Sequence, residues 1–125
     1  MRAFIFDMDG VIVDSEPIHS RTKMETFRHY GLSFAEEDLI HYMGRTTKAL
    51  FQDVLQEQRR RDLNLQEMID YKHQLYLDIL RHDAAVQPVA GVQGLFDALQ
   101  KAKIPAAVAS SAGRQVIEAV LEKLR

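Results

Sequence analysis

The sequence contains no cysteine, no tryptophan and only three prolines among its 125 residues. The lack of cysteine excludes disulfide bonds, thiolate metal ligands and a cysteine nucleophile. No apolar run approaches the roughly 20 residues that a membrane helix needs. The apolar run at residues 3–6, which ends at Asp7, is also too short for a secretory signal. We therefore expect a cytoplasmic protein that has no membrane partner.

The sequence also lacks a large excess of charge of either sign. Sixteen Lys and Arg residues against eighteen Asp and Glu give a net charge of −2, which does not favour a nucleic-acid partner. The basic run Arg59–Arg61 is interpreted as a solvated helix end, because cations are stabilised there by the helix dipole. With 46% apolar and 27% charged residues, the composition is that of an ordinary globular domain.

Two short apolar runs predict β-strands. Residues 3–6 predict a strand that is buried on both faces, as in a parallel sheet, and residues 104–109 predict a second strand. The chain between them has helical periodicity, with helix-start signals at Ser33 with Glu36, at Thr46 or Thr47, and at Asn64 with Glu67. The fold class is therefore α/β, with residues 1–13 and 88–125 as a partial α/β core and residues 14–87 as an inserted helical block.

Polar residues follow each predicted strand. Asp7 and Asp9 leave the first strand two positions apart, and Ser110 follows the second strand at the start of a turn that opens a helix. Ligands of open α/β sheets bind beyond the carboxyl ends of the strands. Paired carboxylates suit a cation such as Mg²⁺, and a hydroxyl with helix-start N–H groups suits an anion. The alternatives are turn-forming aspartates and an ordinary serine N-cap; the combination of the two strand ends favours phosphoryl chemistry.

The segment Asp7-Met8-Asp9-Gly10-Val11-Ile12-Val13-Asp14-Ser15-Glu16-Pro17 resembles the first motif of the haloacid dehalogenase superfamily. More narrowly, it is similar to the phosphatases and beta-phosphoglucomutase-like members that carry a helical cap. Val108-Ala109-Ser110-Ser111 resembles the second motif of that superfamily. The resemblance implies a Rossmann-like core, here incomplete with two parallel strands, and an inserted all-helical cap.

The resemblance also implies a role for each motif residue. Asp7 is implied as the nucleophile that forms an aspartyl-phosphate, and Asp9 as the general acid and base. Asp7 and the main-chain carbonyl of Asp9 are implied to hold Mg²⁺, while Ser110 and the N–H groups of Ser111 and Ala112 bind phosphate. The implied function is a Mg²⁺-dependent phosphatase of a small phosphorylated metabolite such as a sugar phosphate. A phosphosugar mutase of the beta-phosphoglucomutase type is the alternative.

Four further residues are candidates for substrate or cap roles. Glu16 is either a first-turn acid or an acid at the rim of the site, and His19 is either a proton relay or a partly exposed hinge residue. Arg45 and Arg114 are either clamps for a substrate anion or exposed surface cations, and exposure is favoured for both. The other histidines lack the spacing of a zinc site.

Two elements of the superfamily pattern have no counterpart in these residues. The third motif is a Lys or Arg that neutralises the phosphate, and the fourth is an acidic pair that completes the metal shell. We therefore expect the chain to represent the N-terminal part of the fold. A third hypothesis is a truncated, non-catalytic fragment that acts at most as a binding or assembly partner. Separately, we expect self-association through an exposed sheet edge.

Overall fold

The computed structural model describes residues 2–124. Two short parallel strands, β1 (Phe4–Phe6) and β2 (Ala106–Val108), pair with Phe4 opposite Ala106 and Phe6 opposite Val108. The described α-helices are α1 (Glu16–His29), α2 (Thr47–Glu57), α3 (Leu65–His82), α4 (Val92–Lys101) and α5 (Arg114–Lys123), and a 3₁₀ helix spans Glu36–Tyr42. This order of elements confirms the predicted α/β class with its two parallel strands and inserted helical block. None of the described helices combines the length and apolarity needed to cross a membrane.

The chain forms two compact units. One comprises the N-terminal segment up to Glu16 together with the chain from Leu77 onward, and it contains both strands. The other, which we call the helical unit, is Pro17–Tyr76. The domain limits that the sequence favours, at residues 13/14 and 87/88, stay a prediction.

The helical unit is built around an apolar cluster from three helices and the turn after α1. Its buried members are Phe27, Leu32, Leu50, Phe51, Val54 and Met68. Phe27 and Phe51 meet edge to face, with ring centroids 5.3 Å apart. The three members from α2, which are Leu50, Phe51 and Val54, share one face of that helix, as the helical spacing in the sequence predicts.

Two of the three side-chain helix caps predicted in this unit are observed. The Thr46 hydroxyl accepts a hydrogen bond from the Ala49 N–H at 3.1 Å, and the Asn64 side chain accepts one from Glu67 at 3.1 Å. The capping box predicted at Ser33 and Glu36 is wrong. Ala35 precedes the 3₁₀ helix without a side-chain cap, because the Ser33 backbone is bonded instead to the side-chain amide of Gln58.

Strand β1 is less buried than its sequence predicts. Phe6 is buried and packs edge to face against Phe96, with ring centroids 5.0 Å apart. Phe4 is 44% exposed and Ile5 is 75% exposed. The prediction of a strand buried on both faces is therefore wrong, because the face that carries Ile5 is left largely uncovered while the opposite face packs Phe6 against Phe96.

Candidate active site at the strand ends

The loop after β1 is folded tightly around Met8, which is fully buried. The Met8 carbonyl accepts hydrogen bonds from the N–H groups of Val11, Ile12 and Val13 at 2.9–3.2 Å. Gly10 permits the reversal because its φ is +74°, in the left-handed region that glycine tolerates. The buried Met8 thus anchors the loop, while Asp7 and Asp9 on either side of it are exposed.

Each aspartate carboxylate is oriented by a hydrogen bond from within the same segment. The Ser15 hydroxyl donates to Oδ1 of Asp9 at 2.7 Å, and the backbone N–H of Met8 donates to Oδ1 of Asp7 at 2.7 Å. Ser15 is buried, with 2% of its surface exposed. Sequence reasoning missed the contact between Ser15 and Asp9. The signal was a hydroxyl just beyond a glycine turn that brings the chain back towards the strand end.

The second strand end lies at the same edge of the sheet. The Ala109 N–H donates to the Phe6 carbonyl at 2.8 Å, so the parallel ladder continues to the last residue of β1. Asp7 directly follows β1 and Ser110 lies two positions after β2, so both are at the carboxyl ends of two neighbouring strands. The structure thus places the aspartates after β1 and the Ser110 turn after β2 at the same carboxyl end of the sheet.

The turn after β2 closes on the Ser110 hydroxyl. This oxygen accepts a hydrogen bond from the Ala112 N–H at 3.1 Å, and its own hydrogen stays available for donation to an anion. The N-cap of α5 is Gly113, without a side-chain cap, so the alternative of an ordinary serine N-cap is not observed. Ser111 is exposed.

The donor set at this edge is composed of hard oxygen atoms. Mg²⁺ is typically held by one or two carboxylates and keeps several waters, so the Asp7 carboxylate and the Asp9 carbonyl fit such an ion. Among residues 2–124, no group of three or more His, Asp or Glu side chains forms a metal cluster. The residues present therefore fit part of a Mg²⁺ shell, with two protein oxygens.

Two of the other candidates lie in the same unit as the aspartates. Glu16 is exposed in the first turn of α1. Arg114 is exposed at the start of α5, where its guanidinium forms an ion pair with Glu118 at 3.1 Å. That geometry is the surface placement that the sequence favours for Arg114.

Within the helical unit, His19 stacks on Tyr76 with ring centroids 4.3 Å apart. Its Nδ1 atom lies 3.0 Å from the Nζ atom of Lys72, a residue that is 8% exposed. Sequence reasoning missed Lys72, although it occupies the apolar face of α3, four residues after Met68 and four before Tyr76.

Arg45 also lies in the helical unit. Its guanidinium forms an ion pair with Asp53 at 3.0 Å and lies over the Tyr42 ring, 5.0 Å from the centroid. Arg45 is thus held by its own unit at an exposed position. Any use of Arg45 as an anion clamp would compete with Asp53.

Comparison with known proteins identifies the family. The family model of haloacid dehalogenase-like hydrolases matches residues 4–125, so the chain belongs to that family. It is 28% identical, over 120 residues, to fructose-1-phosphate phosphatase YqaB of Escherichia coli. That alignment includes 96% of this chain and 61% of the relative.

Solved structures share the fold. The chain superposes with a TM-score of 0.78 and 25% identity on a HAD hydrolase of family IA, variant 3, from Entamoeba histolytica, covering 98% of this chain and 55% of that one. A beta-phosphoglucomutase from Clostridium difficile matches at a TM-score of 0.69 and 20% identity, covering 99% of this chain and 56% of that one. The chain thus spans between half and two thirds of the length of these relatives.

Proposed function

We propose that this segment carries the nucleophile and the general acid–base of a Mg²⁺-dependent phosphatase for a small phosphorylated metabolite. The observation that supports this most is the exposed Asp7 and Asp9 pair, next to the Ser110 turn at the carboxyl ends of the two paired strands. Membership of a hydrolase family and similarity to a sugar-phosphate phosphatase are consistent with the proposal.

The reaction has two steps. A carboxylate oxygen of Asp7 forms a bond to phosphorus while the bond to the alcohol oxygen breaks, and Asp9 gives its proton to that oxygen. Water then attacks phosphorus, the bond to Asp7 breaks, and Asp9 takes the proton from the water. Free phosphate leaves, and both carboxyl groups return to their starting states.

Ser15 is a positioning residue in this scheme. Its hydroxyl donates to Oδ1 of Asp9, so that oxygen is occupied as an acceptor. This hydrogen bond restrains the rotation of the Asp9 carboxyl group, and Ser15 is proposed to influence the reaction through it.

Magnesium would be held by the Asp7 carboxylate and the Asp9 main-chain carbonyl. A bound ion supplies positive charge that offsets the repulsion between a carboxylate and a phosphate. The Ser110 hydroxyl and the N–H groups of Ser111 and Ala112 are proposed to bind phosphate oxygens. The Ala112 N–H is engaged by Ser110 in this structure, so anion binding would exchange that contact.

The residues 14–87 are proposed to act as the cap that selects the substrate, with Glu16, His19 and Arg45 as its candidate contacts and Arg114 as a candidate in the core. A mutase remains the alternative, since a beta-phosphoglucomutase shares this fold. The two differ only in whether water or a second substrate hydroxyl accepts the phosphoryl group from Asp7.

The test is covalent labelling of the 125-residue polypeptide by acetyl phosphate with Mg²⁺. We expect intact mass spectrometry to show one added phosphoryl group, which peptide mapping places on Asp7. Asp7→Asn abolishes the label, while Asp14→Asn, an exposed acid in the same loop, retains it. Labelling that survives Asp7→Asn would exclude the proposed nucleophile.

A further inference from the structure

A basic depression lies at the C-terminal end of α2, within the helical unit. Its volume is about 510 Å³, and its polar lining comes from Gln52, Asp53, Gln56, Arg59, Arg60 and Arg61. Gln52 and Gln56 are four residues apart and so share one face of α2. Depressions of this size are typical of sites for small molecules.

Asp53 in the lining and Asp62, which follows Arg61 in the sequence, are each paired with an arginine. Asp53 pairs with Arg45 at 3.0 Å, and Asp62 receives two hydrogen bonds from Arg60 at 2.9 and 3.0 Å. The hydrogen bonds from the Arg60 guanidinium also hold the pKa of Asp62 below its ordinary value. Each of these two acids is therefore already paired with an arginine.

Two guanidinium groups of the lining, those of Arg59 and Arg61, take no part in these ion pairs. Within residues 2–124, Arg59 and Arg61 form no ion pair with a carboxylate, and both are exposed. A concave surface with two uncompensated guanidinium groups and two side-chain amides offers many N–H donors to an anion. Guanidinium groups match phosphate geometry because two N–H groups can donate in parallel.

The backbone that presents Arg59 is a Schellman ending of α2. The Arg60 N–H donates to the Leu55 carbonyl at 3.0 Å, the Arg59 N–H donates to the Gln56 carbonyl at 3.2 Å, and Arg59 has a φ of +52°. Glycine is the usual residue at such a position because it has no Cβ. An arginine thus occupies a position where glycine would be less strained.

The same ending recurs at α4, with Lys103 at a φ of +55° and the Ile104 N–H donating to the Leu99 carbonyl at 2.9 Å. Lys103 is not among the residues that line the depression. A basic residue with a left-handed backbone conformation is therefore not enough by itself to indicate a site in this chain. It provides a matched control for the backbone effect.

We propose that this basic depression is a second anion site, which binds a small, multiply charged phosphate compound through Arg59 and Arg61. A nucleic-acid ligand is disfavoured on two grounds. The lining contains no aromatic side chain on which a base could stack, and the net charge of −2 opposes an extended polyanion. The site is independent of the strand-end aspartates and of the activity proposed for them.

Inorganic pyrophosphate is the probe, titrated calorimetrically without Mg²⁺ into the 125-residue polypeptide carrying Ser110→Ala, which weakens the strand-end anion site. We expect saturable binding to one site, weakened about tenfold or more by Arg59→Gln with Arg61→Gln. Arg28→Gln removes an exposed arginine that is paired with Glu25 in the same unit, and it should leave the affinity unchanged. Equal loss in the Arg28 variant, or no loss in the double variant, would overturn the proposal.

Glycine substitutions separate binding from folding. Arg59→Gly should raise the thermal midpoint because glycine relieves the left-handed strain, yet weaken pyrophosphate binding. Lys103→Gly should raise the midpoint and leave binding unchanged. Unchanged binding in Arg59→Gly would refute the site, as would tighter, Arg59-dependent binding of a single-stranded oligonucleotide than of pyrophosphate.

Discussion

At the scale of single residues, the strand-end loop depends on a few buried or strained positions. The Met8 carbonyl accepts three backbone hydrogen bonds, and the buried Ser15 donates its hydroxyl hydrogen to the Asp9 carboxylate. The exposed aspartates therefore owe their placement to neighbours that solvent does not reach.

The bond between Ser15 and Asp9 should be measurable in a double-mutant cycle. Ser15→Ala and Asp9→Ala each remove one partner, and we expect a coupling free energy of about 1 kcal/mol, since one partner is buried and the other is exposed. Urea unfolding of the single and double variants in dilute solution gives this value. Fully additive losses would mean that the hydrogen bond does not order the loop.

Two glycines should respond to alanine with opposite signs. At Gly10 the φ of +74° makes Gly10→Ala destabilising by about 1 kcal/mol, even though no atom lies within 4 Å of the added Cβ. At Gly94, inside α4 and equally open, Gly94→Ala should stabilise by about 0.5–1 kcal/mol. The unfolding midpoints of the two variants provide the comparison, and a shift of the same sign in both would contradict it.

At the scale of elements, helix ends are where local sequence had most influence. Thr46 and Asn64 accept backbone N–H groups as their sequence patterns predict. Ser33 does not, because the distant side chain of Gln58 binds its backbone instead. A local signal therefore holds only where no tertiary partner competes for the same groups.

The cap of α2 offers a matched pair of threonines. Thr46→Ala removes the side-chain acceptor of the Ala49 N–H and should destabilise the helical unit by about 1 kcal/mol. Thr47→Ala changes the adjacent residue, which is the first of the helix, and should shift stability by less than about 0.5 kcal/mol. Equal effects in urea unfolding would show that the Thr46 cap contributes nothing.

At the scale of the whole molecule, the two-stranded sheet presents apolar surface. Ile5 is 75% exposed in the middle of β1, and Phe4 beside it is 44% exposed. An exposed apolar strand favours pairing with another chain. Self-association of the 125-residue polypeptide is the consequence that we expect.

Ile5→Lys should reduce this association, because a charge on an exposed strand opposes edge-to-edge pairing. Ile40→Lys is the control, since Ile40 is 65% exposed on the 3₁₀ helix and not on a strand. Light scattering across a concentration series should show a lower average mass for the Ile5 variant alone. A monomeric parent chain would remove the basis of this prediction.

Catalysis by the 125-residue polypeptide should be weak. No residue in it is assigned to the cationic phosphate partner or to the later acidic pair that the family pattern includes. Loss of one preorganised charge-stabilising group typically costs about 3–4 kcal/mol of barrier, and such losses are not simply additive. We expect at most trace turnover of an aryl phosphate with Mg²⁺; rapid turnover that Asp7→Asn removes would show that other residues supply this charge.

The sequence by itself determined the types of element, two of three predicted helix caps in the helical unit, the inserted helical block and the family. These features are encoded locally, in apolar periodicity, in cap residues and in the contiguous segment from Asp7 to Pro17. Asp7 and Ser110 could be nominated because each directly follows a short apolar run, and Asp9 because it lies two positions after Asp7. Their proposed roles stay predictions.

Only the tertiary structure decided which side chains meet and which strand faces are covered. Lys72 lies 53 residues from His19 in sequence, and Arg45 pairs with Asp53, which lies eight residues further along the chain. The exposure of Ile5 likewise depends on whether another segment packs over its face of β1 and not on its own apolar character. Periodicity specifies which face of an element is apolar, whereas packing between distant segments determines what, if anything, covers that face.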